Sequence, residues 1–443
     1  PADDALISED FSLSAHLGLL QAGDNVLAIH GLNDNVASDD FLLLPELVGV
    51  SNQPNAQYFD LPTPGSYNQP GFAGFLSPVE FSVAHGFFDA AFRLDLSTSS
   101  TGAALHYTTD GTWPDDTNGA IYNPVTGITI RDTSMIRAVA VMAGFQPSTC
   151  RTHTYIFLDG VIQQPTNPPG FPASWGSQPA DYEMDPDVVN DPLYNGTIVD
   201  DLKSIPTLSI VTRPADMFES SGIYANPNAS GVAWEKPASF ELIYPDGREG
   251  FSVNCGVRIY GGVGRNPVFL KHTFRLLFKS DYGPTKLRYD LFDGDRYADD
   301  EYDTIILRAG FNNAWHRNND SEERRAQYLR DNWMSRSQWD MGQKGIHGTF
   351  HHLYVNGLYW GLYNTVERPN ADFASSYYGG RKEEWDALNS YPRNVVDGVA
   401  TDWVTAQNIA QAGVADPAGY DALAQDVDIP NLIDYMILNF YAG

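Results

Sequence analysis

At 443 residues, with 42% hydrophobic and 13% aromatic content, the chain is long enough for roughly two to four domains and too rich in core-forming side chains to be disordered. Its net charge of −29 argues against nucleic acid or an anionic membrane surface as partner, because both are polyanions. No run of 18 apolar residues occurs, which excludes a membrane-spanning helix, and the two cysteines, Cys150 and Cys255, are too few and too far apart for a disulfide framework or a zinc ribbon.

Glycine (39) and proline (28) point to a loop-rich, largely β architecture, and the acidity fits a secreted or cell-surface setting. The chain opens on Pro1, which reads as a processed product. Charge is uneven: residues 251–340 hold 14 of the 27 basic residues against 13 of the 56 acidic ones, so one island is near neutral within a strongly acidic chain. Such an island is either a set of surface ion pairs or a pocket that must accept an anion such as phosphate.

Residues 1–50, with "FSLSAHLGLLQAGDNVLAIHGLN" and "DDFLLLPELVGV", predict two or three strands, the C-terminal part of a β-sandwich or jelly-roll-like domain. Residues 51–77 are rich in Pro, Gly and Asn without a period, and read as a linker. Residues 78–158 show short strands at regular spacing, "FRLDLST", "ALHYTTDG", "GITI", "SMIRAVAVMAG" and "STCRTHTYIFLDG", which predict an immunoglobulin-like sandwich with a hairpin turn at Asp110-Gly111. Residues 159–201 return to linker character; the acidic "DPDVVND" lacks the alternating ligands of a calcium loop.

From residue 202 the texture changes. "IPTLSIVT", "EGFSVNCGVRIYGG", "KHTFRLLFKS" and "YDTIILRAG" are strands, and "SEERRAQYLRDNWMSRSQWDMG" has helical spacing that places Ala326, Leu329, Trp333 and Met334 on one side. "HHLYVNGLYWGLYNTVERP" is a hairpin about Asn356-Gly357, pairing Val355 with Leu358, Leu353 with Trp360 and His351 with Leu362 on one face. Strand parity then sends Glu367 to the other face, with Tyr354 and Tyr359, and Gly361 marks a place where something approaches the sheet closely. Adjacent His351 and His352 point to opposite faces and cannot share a metal ion. A terminal amphipathic helix, "IPNLIDYMILNFYAG", follows, giving a large α+β domain over 202–443.

A glycine-rich turn bounded by Arg258, Arg265 and Lys271, with Arg275 on the next strand, offers backbone N–H groups and cations to a phosphate, although no Walker loop is present. "LFDGDRYADDEYD", carrying Asp293, Asp295, Asp299 and Asp300, is a candidate for structural calcium.

Two resemblances add to this. "HYTTDGTWPDDTNGAIYNPVTGITIRDTSMIRAVAVMAGFQPSTCRTHTYIF" resembles the immunoglobulin-like module at the C-terminus of chitobiase and β-hexosaminidase enzymes, which implies an accessory spacer or a glycan-binding domain. "GVRIYGGVGRNPVFLKHTFRLLFKSDYGPTKLRYDLF", "DTIILRAGFNNAWH", "YLRDNW", "LYVNGLYWGLYNTVERPNADF" and "IDYMILNFYAG", in that order, resemble the spore-coat CotH kinase family in a secreted subfamily. That likeness implies β-sandwich modules followed by an α+β atypical protein-kinase-like domain that binds ATP and Mg and phosphorylates Ser or Thr of secreted proteins.

By the same likeness Lys271 contacts phosphate, Arg258 and Arg265 flank the glycine turn, Arg275 lies on the cofactor side, and Glu367 lies near the adenine. The chain departs from the family in carrying "RIYGGVGRN" where "RGNS" is usual. The family's metal-binding aspartates lie beyond the helix ending "NFYAG", so 202–443 is expected to be a truncated domain and the 443 residues to be inert by themselves. The alternative expectation is a non-catalytic extracellular adhesion, structural or glycan-binding protein on a degenerate kinase-like scaffold.

Overall fold

The structure, a computed structural model, describes residues 12–19, 26–28, 57–59, 71–295, 297–311, 314, 325–389 and 394–442. It divides into two units, 1–56 and 57–443. In the first, Ser14–Leu19 form a 3₁₀ helix inside the segment expected to be a strand; the other strands expected there fall outside the described residues.

In the second unit the regular strands of 78–158 build a sandwich. One sheet runs Gly86–Phe87, Arg151–Ile156, Ser134–Val141, Ala104–Thr108, Ala120–Ile121. Opposite lie the short ladders Glu80–Phe81 with Leu96–Ser97 and Phe92–Leu94 with Ile128–Ile130. The alternating apolar positions Leu94, Ile130, Ile136 and Tyr155 meet in its core. Asp110-Gly111 does not form a two-residue turn: it opens a longer connection over 109–119, where the Asp110 carboxylate accepts from the amide of Thr112 at 2.9 Å.

Seven strands then close a barrel: β1 (Thr207–Thr212), β2 (Lys236–Ile243), β3 (Phe251–Tyr260), β4 (Thr273–Leu277), β5 (Thr304–Arg308), β6 (Gly348–Val355) and β7 (Leu358–Glu367). The order is β1-β2-β3-β4-β5-β7-β6, and parallel pairing of β6 with β1, Thr207 to Ile210 against His352 to Val355, closes the ring. Leu208, Ile210, Val257, Phe274, Leu307 and Leu353 fill the interior. Residues 159–201 contribute to this core: Trp175 and Tyr182 are buried there, and the Trp175 indole N–H donates to the Tyr182 hydroxyl at 2.8 Å.

The sandwich does not hang on the barrel as a spacer. Its strand Arg151–Ile156 lies over the outer faces of β2 and β3, where those strands carry Ser and Asn in place of apolar residues. Thr152 Oγ1 donates to Ser239 Oγ at 2.7 Å, Ser252 Oγ to the Thr152 carbonyl at 2.7 Å, and Asn254 to the Cys150 carbonyl at 3.0 Å. Buried Glu241 accepts from His85 Nδ1 at 2.7 Å and from the Thr154 amide at 3.1 Å. Arg137, fully buried, donates to the carbonyls of Gly111 (2.7 Å) and Val211 (3.0 Å) and to Ser239 Oγ (3.0 Å) while stacking 3.7 Å from the Trp113 ring centre. Burial lowers its pKa to about 10, still far above neutrality.

Helices α1 (Arg330–Asp340), α2 (Ala371–Tyr378), α3 (Thr401–Ala412), α4 (Pro417–Asp426) and α5 (Ile429–Ala442) follow or interrupt the strands. On α1 the apolar side read from spacing is not the buried one. Trp333 is 47% exposed and Leu329, at the helix start, 66%, whereas Trp339 is buried and its indole N–H donates to the Gly345 carbonyl at 2.8 Å.

Candidate functional site

The Asn356-Gly357 turn forms as expected, with φ of 47° and 78° and Val355 opposite Leu358. Beyond Tyr354 and Tyr359 the register slips by one: Leu353 faces Gly361, His352 faces Leu362 and His351 faces Tyr363, leaving Trp360 as the extra residue of a bulge next to Gly361, whose φ is 108°. That slip reverses the parity reading of Glu367. Tyr363, Thr365 and Glu367 turn toward the barrel interior, and Glu367 pairs with the core residue Ile305.

Glu367 is therefore buried at the end of the barrel. It accepts from the His347 amide at 2.7 Å, bonds His347 Nδ1 at 2.8 Å, and receives the Tyr377 hydroxyl of α2. Its surroundings are those of an anchor that ties the exit of β7 to α2. His351 points inward to Thr365 Oγ1 (2.8 Å) and His352 outward to the Tyr359 hydroxyl (3.0 Å), on opposite faces as expected.

Outside the barrel, residues alternate with the core set. Val257 and Ile259 on β3 and Phe274 and Leu276 on β4 point in, so Arg258 and Arg275 point out, and the register makes them direct cross-strand partners. The same row continues as Ile306 and Val366. Arg275 donates from Nε to Thr304 Oγ1 at 3.0 Å, and its pKa falls to about 10 through burial first and then through the charges of Arg368 and Arg258. Arg368, immediately after β7, holds its guanidinium 5.7 Å from the Tyr260 ring centre.

Acid counterweight on this wall is thin. Arg258 has Glu235 at 3.9 Å, but Lys279 binds that carboxylate more closely at 2.7 Å. Among the described residues, neither Arg275 nor Arg368 has a carboxylate within 4 Å. Like charges directly opposite each other on a sheet repel, so the Arg258–Arg275 pair is an arrangement that an anion would stabilise. At the rim Arg308 of β5 forms an ion pair with Asp331, pinning α1 to the sheet.

The other two expected phosphate contacts have different partners. Arg265 sits in a 3₁₀ turn, Val263–Arg265, and donates to the Asn228 carbonyl. Lys271 donates to the Leu362 carbonyl at 3.1 Å, with its ammonium 4.8 Å from the Tyr363 ring centre. It occupies the space left by Gly361, where a Cβ would lie 2.5 Å from Nζ. The group that approaches the sheet at Gly361 is thus Lys271.

Burial lowers the Lys271 pKa to about 8, and no carboxylate stands within 4 Å among the described residues. Between pH 8 and 10.5 the unfolded chain holds more protons at this lysine than the folded one, so stability rises with pH across that window. Lys271→Met is expected to raise the unfolding free energy at pH 7 by about 1–2 kcal/mol, burial relief outweighing one lost hydrogen bond, and to abolish the alkaline rise. Urea titrations at pH 7 and 10 test this; a destabilised Met variant refutes it.

Two carboxylates of the candidate calcium loop are engaged in ion pairs. Asp293 pairs with Arg248 at 2.9 Å and Asp295 with Arg336 at 2.8 Å, and among the described residues no three acidic, His or Cys side chains converge on a metal-sized space. No described helix is long and apolar enough to cross a membrane.

Residues 268–443, from the β3–β4 connection through α5, match the family model described as CotH kinase protein. Over these residues the chain is similar to the CotH kinase family. Residues 94–155 match the model described as Fn3 associated, within the sandwich. No curated protein matches the chain. The CotH match begins after β3, although β1, β2 and β3, and Trp175 and Tyr182 before them, belong to the same barrel and its core. Arg368 is not among the site residues read from the sequence.

Proposed function

We propose that this protein, at its full length, binds ATP with magnesium and transfers a phosphoryl group to Ser or Thr of extracellular proteins through its CotH domain. The observation that carries the reading is the Arg258–Arg275 pair. Two guanidiniums stand side by side on one row of the barrel wall, short of acid partners, in a chain whose net charge of −29 otherwise repels polyphosphates. Guanidinium forks match phosphate oxygens in pairs, and partial burial strengthens those contacts. The Arg308–Asp331 ion pair holds α1 against the same wall. Magnesium would arrive with the nucleotide and supply charge neutralisation on the phosphates. The atypical kinase-like fold is part of this proposal, as is an extracellular location, which the acidic surface favours.

Thermal unfolding with Mg-ATP tests the reading. Nucleotide at about 100 times its dissociation constant adds roughly 2.7 kcal/mol of stability. No shift at millimolar Mg-ATP refutes it.

A further inference from the structure

We propose that Arg368 is the third phosphate-binding guanidinium of this site, and that Glu367 is the residue that positions it. The inference rests on the nucleotide reading above and extends it to residues outside the glycine turn.

Three observations converge. First, Glu367 opposite Ile305 places the next residue, Arg368, beside Thr304, the residue whose hydroxyl holds Arg275. Arg368 is accordingly the first charged neighbour to depress the basicity of Arg275. Second, alternation along β7 turns Arg368 outward because the bulge at Trp360 turned Glu367 inward. Arg368 lines a recess with Asp299, Glu301, Asp303, Glu367 and Asp372, and its guanidinium lies 5.7 Å from the ring centre of Tyr260, at the end of the strand that carries Arg258.

Third, the backbone at Arg368 is constrained from both sides. Glu367 is fixed by His347 and Tyr377, and Pro369 restricts Arg368 to extended conformations. A long side chain on so constrained a backbone loses less freedom when it grips a ligand. The like-charge arrangement of Arg258, Arg275 and Arg368 is unfavourable in the empty site, and a polyphosphate bridging the three forks removes that repulsion.

Calorimetric titration of the 443-residue chain with Mg-ATP and, separately, with inorganic tripolyphosphate tests both parts. Arg275→Ala and Arg368→Ala are each expected to weaken both ligands by about tenfold or more. The melting temperature of ligand-free Arg368→Ala should stay unchanged or rise, because a repelling charge is removed. Arg368→Lys should restore only part of the affinity, since an ammonium cannot reproduce the planar fork. Glu367→Gln should weaken tripolyphosphate several-fold in the parent chain and have no further effect in the Arg368→Ala background, the signature of action through Arg368.

Unchanged binding in Arg368→Ala beside lost binding in Arg275→Ala overturns the assignment of Arg368 and leaves the nucleotide reading standing. Loss of ATP with retained tripolyphosphate overturns the phosphate role. An equal Glu367→Gln effect in both backgrounds overturns the positioning role. A parent chain that binds neither ligand overturns the nucleotide reading itself.

Discussion

Replacing Arg137 by alanine is expected to lower the unfolding free energy of the sandwich and barrel together by about 3–5 kcal/mol, the range for breaking a buried charged network. The substitution removes donors from the carbonyls of Gly111 and Val211 and from Ser239, none of which water reaches, and leaves a void against Trp113. Arg137→Met keeps most of the volume and separates the terms: it should recover the packing share while leaving the carbonyls unpaired. Urea unfolding followed by Trp fluorescence measures both variants. A loss below about 1 kcal/mol would mean that the contact is incidental.

The same network predicts cooperativity. An accessory spacer melts on its own; a module whose last strand covers β2 and β3 through Thr152, Thr154, Ser239 and Glu241 melts with the barrel. β3 also carries Arg258, on the same outer face that the sandwich covers at Ser252 and Asn254. A barrel expressed from residue 202 without the sandwich would expose the polar outer faces of β1 to β3 that only the module satisfies. The boundary of the working domain is therefore set by packing, upstream of where the CotH resemblance becomes recognisable.

Much of this architecture was legible because it depends on local pattern. Alternation in "SMIRAVAV" and "TFRLL" gave strands, Asn-Gly gave the hairpin turn, and the motifs from "GVRIYGG" to "NFYAG" gave the family. What was hidden depends on register and on long-range partners. Arg258 reads as a flank of a glycine turn and Arg275 as a cation on the next strand, yet they meet through cross-strand pairing, while Arg265 and Lys271, closer to that turn, bond to backbone carbonyls elsewhere. Glu367 was sent to the wrong face by a one-residue bulge. The glycine at 361 was its only local sign, read as a close approach and in fact serving both purposes. Trp175 looked like linker because nothing local says that a proline-rich segment ends in another domain's core.

The last expected result is a steep loss of stability in mild acid, driven by histidines buried neutral. Burial lowers His351, inside the barrel, to about 3 and His153, stacked 4.2 Å from Phe81 in the sandwich, to about 4; burial lowers His272 and His352 as well. In the unfolded chain each titrates near 6.5. As pH falls below that value the unfolded state binds protons that the folded state refuses, so this stability is complete above pH 6.5 and drains toward pH 4. Each fully uncoupled histidine contributes about 1.4 kcal/mol per pH unit. Between pH 6.5 and 4.5, His351 and His153 together remove on the order of 4 kcal/mol, a large share of the roughly 5–15 kcal/mol typical of a folded domain. Asp303, raised by burial and then by neighbouring Asp372, works in the opposite sense, because the folded state takes up that proton before the unfolded one does. His351→Gln retains a group able to bond Thr365 Oγ1 and cannot take up a proton, so it should flatten the slope of unfolding free energy against pH by up to one proton while changing stability at pH 8 little. An identical slope in parent and variant between pH 6.5 and 4.5 would show that His351 is already protonated in the folded barrel, and would require a counter-charge that its lining of Thr365, Tyr363 and Leu353 does not offer.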